Sequence, residues 1–236
     1  MAERIQMQRA WVLRQQPYRE TSLLLELFTE QHGRVGAVAR GGRGKNSSRR
    51  ALLQSFRPLQ VSWSGGGDLV TLGAAESDGP MVNLTGQALY CGWYLNELLM
   101  RLLPRRDAHE ALYHAYLDSL EGLRAGRLQP SLRLFEKQLL DEAGYGLVLD
   151  VPDAEALYAY DFEQGPVAVS GASDDAIRGA SLIALARGDL SDPQSLRDSK
   201  RLLRTALRRV IGRDELESVK ALRALAQVSK AGSSKP

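Results

Sequence analysis

WVLRQQPYRETSLLLELFTEQHGRVGAVAR (Trp11–Arg40) holds three short apolar segments: Trp11–Arg14, Ser22–Phe28 and Arg34–Arg40. They are parted by turn-like breaks at Gln16-Pro17 and Gln31-His32-Gly33. Apolar and polar residues that alternate over four to eight positions mark a strand with one buried face. Further along, Leu59–Ser64 and Leu69–Ala75 repeat the pattern on either side of Gly65-Gly66-Gly67. Five such strands within about 80 residues fit a small closed barrel of the OB type. A five-stranded sandwich would show the same periodicity, and periodicity alone does not separate the two.

After Pro80 the pattern becomes helical. Leu84, Ala88, Leu95, Leu98, Leu99 and Leu102 recur at three- and four-residue steps through Thr85–Leu103, and Pro104 stops the run. Asp107 with Glu110 has the spacing of a capping box for a helix ending near Gly126, and Pro130–Ala143 is the next helix. Residues 145–170 lose the helical period, and the alternation of Tyr158, Tyr160 and Phe162 suggests a small hairpin. Helices are expected again over Ser173–Arg187, Pro193–Ile211 and Asp214–Ala226, the last with a second capping-box pair, Asp214 and Glu217. The expected fold class is therefore α+β. A barrel domain occupies residues 1–80, a mostly α-helical domain residues 81–229, and a disordered tail residues 230–236.

Composition bounds the function. The 236 residues are 44% apolar and 25% charged with a mean hydropathy of -0.27, a globular balance. Apolar runs such as Leu182–Ala186 fall far short of the roughly 18 residues that a membrane span requires, and MAERIQMQRAWVL lacks the apolar centre of a secretory signal. One cysteine, Cys91, leaves no internal disulfide framework. The expected location is the cytoplasm, with no membrane association. The net charge is only +3, yet it is unevenly placed. Residues 1–80 carry 11 basic and 7 acidic groups (+4), residues 81–196 carry 9 and 17 (-8), and residues 197–236 carry 11 and 4 (+7). Two basic ends around an acidic middle favour a polyanionic partner for the ends.

The most informative stretch is Gln31–Gly67, which holds Arg34, Arg40, Arg43, Lys45, Arg49, Arg50 and Arg57 and not one acid. Its centre, ARGGRGKNSSRR (Ala39–Arg50), is a Gly/Ser-rich basic loop. Glycines let the backbone approach a phosphate chain, and guanidinium groups pair with phosphate oxygens two bonds at a time. Binding of this kind is sequence-independent and salt-sensitive. A solvated loop of ordinary surface arginines is the plainer reading. A phosphate-cradling P-loop is not possible, because Ala39 and Asn46 stand where its glycine and magnesium-binding hydroxyl belong. On the Pro193 helix, Arg197, Arg201, Arg204 and Arg208 form a cationic stripe opposite Leu196, Leu203, Leu207 and Val210. His32, His109, His114 and Cys91 show no metal-ligand spacing along the chain. Cys91 reads as a buried packing residue, Asp174-Asp175 as a helix start, and no G-x-S-x-G occurs. No catalytic set emerges, so neither an enzyme nor a cofactor is expected. A DNA-binding or an RNA-binding OB module remains.

The same residues resemble a known family, the bacterial recombination mediator RecO. Trp11–Leu59 is similar to its opening, as are LYCGWYLNELLMRLL (Leu89–Leu103), LRLFEKQLLDEAGYG (Leu132–Gly146) and VSGASDDAIRGASLIALARGDL (Val169–Leu190). The resemblance runs in consistent order from about residue 8 to 225. It implies an OB barrel followed by a helical domain, and binding of single- and double-stranded DNA. It also implies annealing of complementary strands, and loading of RecA onto coated single strands together with RecR, on the nucleoid. On that basis Arg40 and Arg43 are central to DNA binding, with Arg34, Lys45, Arg49 and Arg50 supporting. A further implied partner is the C-terminal tail of single-strand DNA-binding protein, which ends in acids, an aromatic and a free carboxylate. Arg133, beside Leu132 and Phe135, matches a basic position of the family and is the candidate carboxylate clamp, with Lys200 and Arg201 as helpers. The plainer alternative pairs Arg133 with Glu136. Some family members carry two Cys-x-x-Cys pairs after the segment matching Gly144-Tyr145-Gly146. Here residues 147–170 contain no cysteine, so a zinc-free hairpin, the remnant of a zinc module, is expected.

Overall fold

A computed structural model describes residues 4–42, 48–171, 173, 175–212 and 216–232, with side chains as far as Ala224 in the last helix. The chain divides into two compact units. The first takes residues up to Ala125 together with the segment from Leu216 onward, and the second begins at Gly126 and ends with the sixth helix.

The first unit is built on a closed barrel of β1 (Arg4–Tyr18), β2 (Ser22–Thr29), β3 (Gly33–Ala39), β4 (Leu59–Ser64) and β5 (Leu69–Ser77) in the order β1-β2-β3-β5-β4. Only the β3–β5 pair is parallel. The sandwich alternative is excluded, because β1 pairs with both β2 and β4 and so closes the sheet. It does this by being long and bent, with register shifts between Val12 and Arg14 and between Ile5 and Gln8. Inward-facing alternate residues fill the barrel: Leu23, Leu25 and Leu27 from β2, Val35, Ala37 and Ala39 from β3, Val61 and Trp63 from β4, and Val70 and Leu72 from β5. A short helix, α1 (Ser48–Leu52), joins β3 to β4 and brings the fully buried Leu53 against the same core.

Helices α2 (Gly86–Leu102) and α3 (Glu110–Arg124) complete this unit on the outer face of β1 and β2. Trp11 meets Tyr116 edge-on at 5.8 Å, and Phe28 lies 5.6 Å from Tyr113 and 6.0 Å from Tyr116. Both tryptophans expected in strands, Trp11 and Trp63, are thus core residues. Buried Asn96 donates to the Leu13 carbonyl at 3.0 Å and accepts from the Tyr116 hydroxyl at 2.6 Å. Burial pushes the Tyr116 phenol well above its ordinary pKa, which keeps it a donor. The change from strands to helices near residue 80 is therefore not the border of a compact unit. Trp11 and Phe28 are large apolar side chains on the outside of the barrel and need the helices as cover.

The capping box expected at Asp107 does not form. His109 occupies the N-cap position, and the segment before it crosses the outside of β3. There the Arg106 amide donates to the Arg34 carbonyl at 2.9 Å, and a Cβ on Gly33, at φ +60°, would collide with the Asp107 carbonyl. The last helix, α7 (Glu217–Gly232), also belongs to this unit and packs on α2. The expected capping residue Asp214 lies outside the described residues. Glu97 of α2 serves α7 instead: its carboxylate accepts from the Glu217 amide at 2.9 Å and from the Ser218 amide and hydroxyl at 2.9 and 2.6 Å. Helix α7 continues to Gly232, past Lys230 where the tail was expected to begin, and the remainder of that expected tail lies outside the described residues.

The second unit holds α4 (Leu128–Glu142), a three-stranded sheet, α5 (Gly179–Arg187) and α6 (Pro193–Ile211). Strands β6 (Leu157–Asp161) and β7 (Gly165–Val169) form the expected hairpin, and β8 (Ile177–Arg178) pairs with β6 on its other side. The helix expected from Ser173 accordingly begins only at Gly179. Leu132, Phe135, Leu139, Leu182, Leu185, Leu202, Leu203 and Leu207 make the core where α4 and α5 pack on α6. Asp192 caps α6 by accepting from the Ser195 amide at 2.8 Å, and Pro193 holds the first helical position.

Candidate nucleic-acid interface

The acid-free stretch Gln31–Gly67 resolves into cations with different tasks. Arg40, at the end of β3, and Arg50, on α1, are exposed. Arg49 is half-buried and donates to the carbonyls of Leu72 at 3.1 Å, Gly73 at 2.6 Å and Arg40 at 3.4 Å. It thus ties α1 to β5 and fixes the backbone that presents Arg40. Arg43 and Lys45 lie outside the described residues.

Arg34 is turned to a different role. It donates to the Met100 carbonyl and stands 3.7 Å from Glu26, with its side chain 16% exposed. Arg105 pairs with the same carboxylate. Burial, together with the nearby Arg105 cation, lowers the Arg34 pKa against the pull of Glu26, whereas the hydrogen bond to Glu26 raises that of Arg105. Arg106 donates to Gly66 and Gly67 at 2.9 and 2.6 Å, and so holds the β4–β5 loop. The segment carrying Arg105 and Arg106 thus straps the outside of β3, where an OB barrel customarily receives its ligand. What stays open beside it is a notch of about 200 Å³ lined by Arg14, Gln16, Leu24, Glu26, Arg34 and Met100. Sequence reasoning missed Arg105 and Arg106, because a pair of arginines after Pro104 looks like any helix-to-helix linker.

In the second unit, Arg133 of α4 is 5% exposed and donates to Glu136, itself 1% exposed, at 2.6 Å. The plainer pairing is the one that forms. Arg201 donates to the Ala176 carbonyl at 2.5 Å and approaches buried Asp198 at 3.4 Å. Asp198 also accepts from Ser181 at 2.7 Å and Gln194 at 3.0 Å. Lys200 is the exposed member of the trio. The outward cations of α6 are therefore Arg197, Lys200, Arg204, Arg208 and Arg209, the last lying over the Phe162 ring, because Arg201 leans toward the buried side.

The segment 147–170 does not fit a four-thiolate zinc site. It has no sulfur donor, and the hairpin is filled instead by buried Leu149, Val151 and Tyr158. Among the described residues no helix is long and apolar enough to cross a membrane.

A closed five-stranded barrel with a helix between its third and fourth strands defines an OB-fold protein. Family models described as Recombination protein O N terminal and Recombination protein O C terminal match residues 1–80 and 84–154. The chain belongs to the RecO family. It is 48% identical to the DNA repair protein RecO of Nitrosococcus oceani, over 96% of this chain and 98% of that one. It is 45% identical to the protein of that name from an Azoarcus strain, again over 96% and 98%. Identity to the Coxiella burnetii protein is 44%, over 92% and 98%.

Proposed function

We propose that this chain is a non-catalytic mediator of DNA repair that binds single- and double-stranded DNA through phosphates, anneals complementary strands, and acts on the nucleoid. In this reading it works with RecR to help load RecA onto strands coated by single-strand DNA-binding protein. The supporting observation is the conjunction of RecO family membership with a stretch of sequence, Gln31–Gly67, that holds no acid and in which Arg40 and Arg50 are exposed and Arg49 orders the backbone. Arg43 and Lys45 belong to the same basic loop by sequence. Arg34 is held by Glu26 and the Met100 carbonyl and is the least available of these cations for phosphate. Each neutralised phosphate releases condensed counterions, so affinity falls steeply with salt. An Arg40→Ala, Arg50→Ala double variant should lower the log-log salt slope of DNA binding by about 2 units while circular dichroism stays unchanged. An unchanged slope in the folded variant overturns the assignment.

The tail of single-strand DNA-binding protein is assigned to the second unit. Lys200 offers the exposed cation for its terminal carboxylate and Arg201 a flanking one, whereas Arg133 would have to exchange Glu136 for the ligand. Fluorescence anisotropy of a tail peptide on Lys200→Ala tests this, and equal affinity moves the pocket elsewhere.

A further inference from the structure

Glu30 follows β2 in the turn to β3, and Glu110 and His114 stand one turn apart at the start of α3. The Glu30 amide donates to the Arg9 carbonyl at 3.2 Å, which fixes the turn, and its side chain is only 16% exposed. His114 Nε2 lies 3.5 Å from Glu30 Oε1 and 4.0 Å from Glu110 Oε1, and one donor atom from each residue falls within 4.8 Å of the other two. A first-row cation with bonds of about 2.0–2.2 Å to nitrogen and oxygen holds its ligand atoms roughly 3.3 Å apart in a tetrahedron. The gap is at most about 1.5 Å, and the side chains of Glu110 and His114, both more than half exposed, can close it by rotation.

We propose that Glu30, Glu110 and His114 form a binding site for a divalent first-row cation such as Zn²⁺, with the remaining coordination positions left to water. The donor set indicates the class. One imidazole nitrogen beside two carboxylates suits zinc, cobalt or manganese, whereas magnesium and calcium prefer shells made wholly of oxygen. A dication also balances the two carboxylate charges. Among the described residues the permanent cation paired with Glu30 is Arg9, a long pair at 3.8 Å that Arg9 shares with Asp78 at 3.5 Å. The bound ion would clasp the β2–β3 turn to α3, next to the packing of Phe28 on Tyr113. The site differs in ligands and location from a four-thiolate module, and the spacing of histidines along the chain could not reveal it. Its third ligand is 80 residues away from Glu110.

The test uses the full chain freed of metal by chelation. Co²⁺ is titrated by visible absorbance and then displaced by Zn²⁺, and thermal unfolding is followed with and without Zn²⁺. One equivalent of Co²⁺ should bind the wild type, and His114→Ala and Glu110→Gln should each weaken binding tenfold or more. Saturating Zn²⁺ at a hundredfold excess over the wild-type Kd should raise the wild-type Tm by roughly 5 °C and that of His114→Ala by about half as much or less. Both altered side chains are outside the core, so the variants should fold. Wild-type affinity in both variants, or no binding up to millimolar cation, overturns the proposal. In the second case the cluster is an ordinary histidine–carboxylate pairing.

Discussion

Arg49 donates to three carbonyls of its own barrel, whereas its neighbour Arg50 is exposed. Nothing in ARGGRGKNSSRR separates the two, because both are arginines in one basic run and the difference lies in β5, more than twenty residues away. Arg49→Ala should therefore lower stability by about 1–3 kcal/mol in urea unfolding. Arg50→Ala should change it by less than about 0.5 kcal/mol and instead reduce the DNA salt slope by about 1. Arg133 makes the same point from the other side. Its position beside Leu132 and Phe135 was legible, but its commitment to Glu136 depends on burial that the local sequence does not state. Removing one member of a buried ion pair leaves the other charge stranded, so Arg133→Ala should cost about 3–5 kcal/mol, and an Arg133→Met, Glu136→Leu double variant should regain most of it. Denaturant midpoints for the two proteins decide. If they coincide, the pair is not a buried one in solution.

Asp192 shows what one residue does for a helix. It accepts from the amide and hydroxyl of Ser195 and pairs with Arg178 at 2.8 Å, and these bonds hold its pKa down to about 2 from 3.8. A carboxylate depressed in the folded state stabilises that state above its ordinary pKa and loses the effect as pH falls through the folded value. The α6 cap should therefore weaken between about pH 4 and pH 2. Carbon-detected NMR should place the Asp192 midpoint near 2, and a midpoint near 4 would show that the cap is not made. The start of α6 was readable to the residue, because Asp-Pro before an amphipathic run is a local signal. β4 was as clear, being short and strictly alternating. β1 was seen only as Trp11–Arg14 although it spans Arg4–Tyr18, since its ends are rich in Arg and Gln and alternate poorly. α3 began later than its capping-box spacing suggested, because Asp107 is engaged in crossing β3. That crossing is a tertiary fact and leaves no local trace.

The first unit is discontinuous in sequence: strands from the opening of the chain, α2 and α3 after them, and α7 from beyond residue 215. Glu97 makes the link, as the acceptor for two amides and a hydroxyl at the start of α7. Replacing it by alanine should cost about 1–2 kcal/mol and speed hydrogen exchange of the α7 amides, with those of α4 and α6 unchanged. Equal acceleration in all three helices would contradict a separate first unit. The periodicity of α7 was legible, but its place was not, because hydrophobic patterning says which face is buried and not against what. This arrangement bears on how the protein is made. A ribosome releases the barrel strands first, then α2 and α3, then every element of the second unit, and α7 after all of these. The second unit can thus be complete while the first still waits for its closing helix, with part of the α2 surface uncovered. During synthesis, the half of the molecule that is begun first is the half that is finished last.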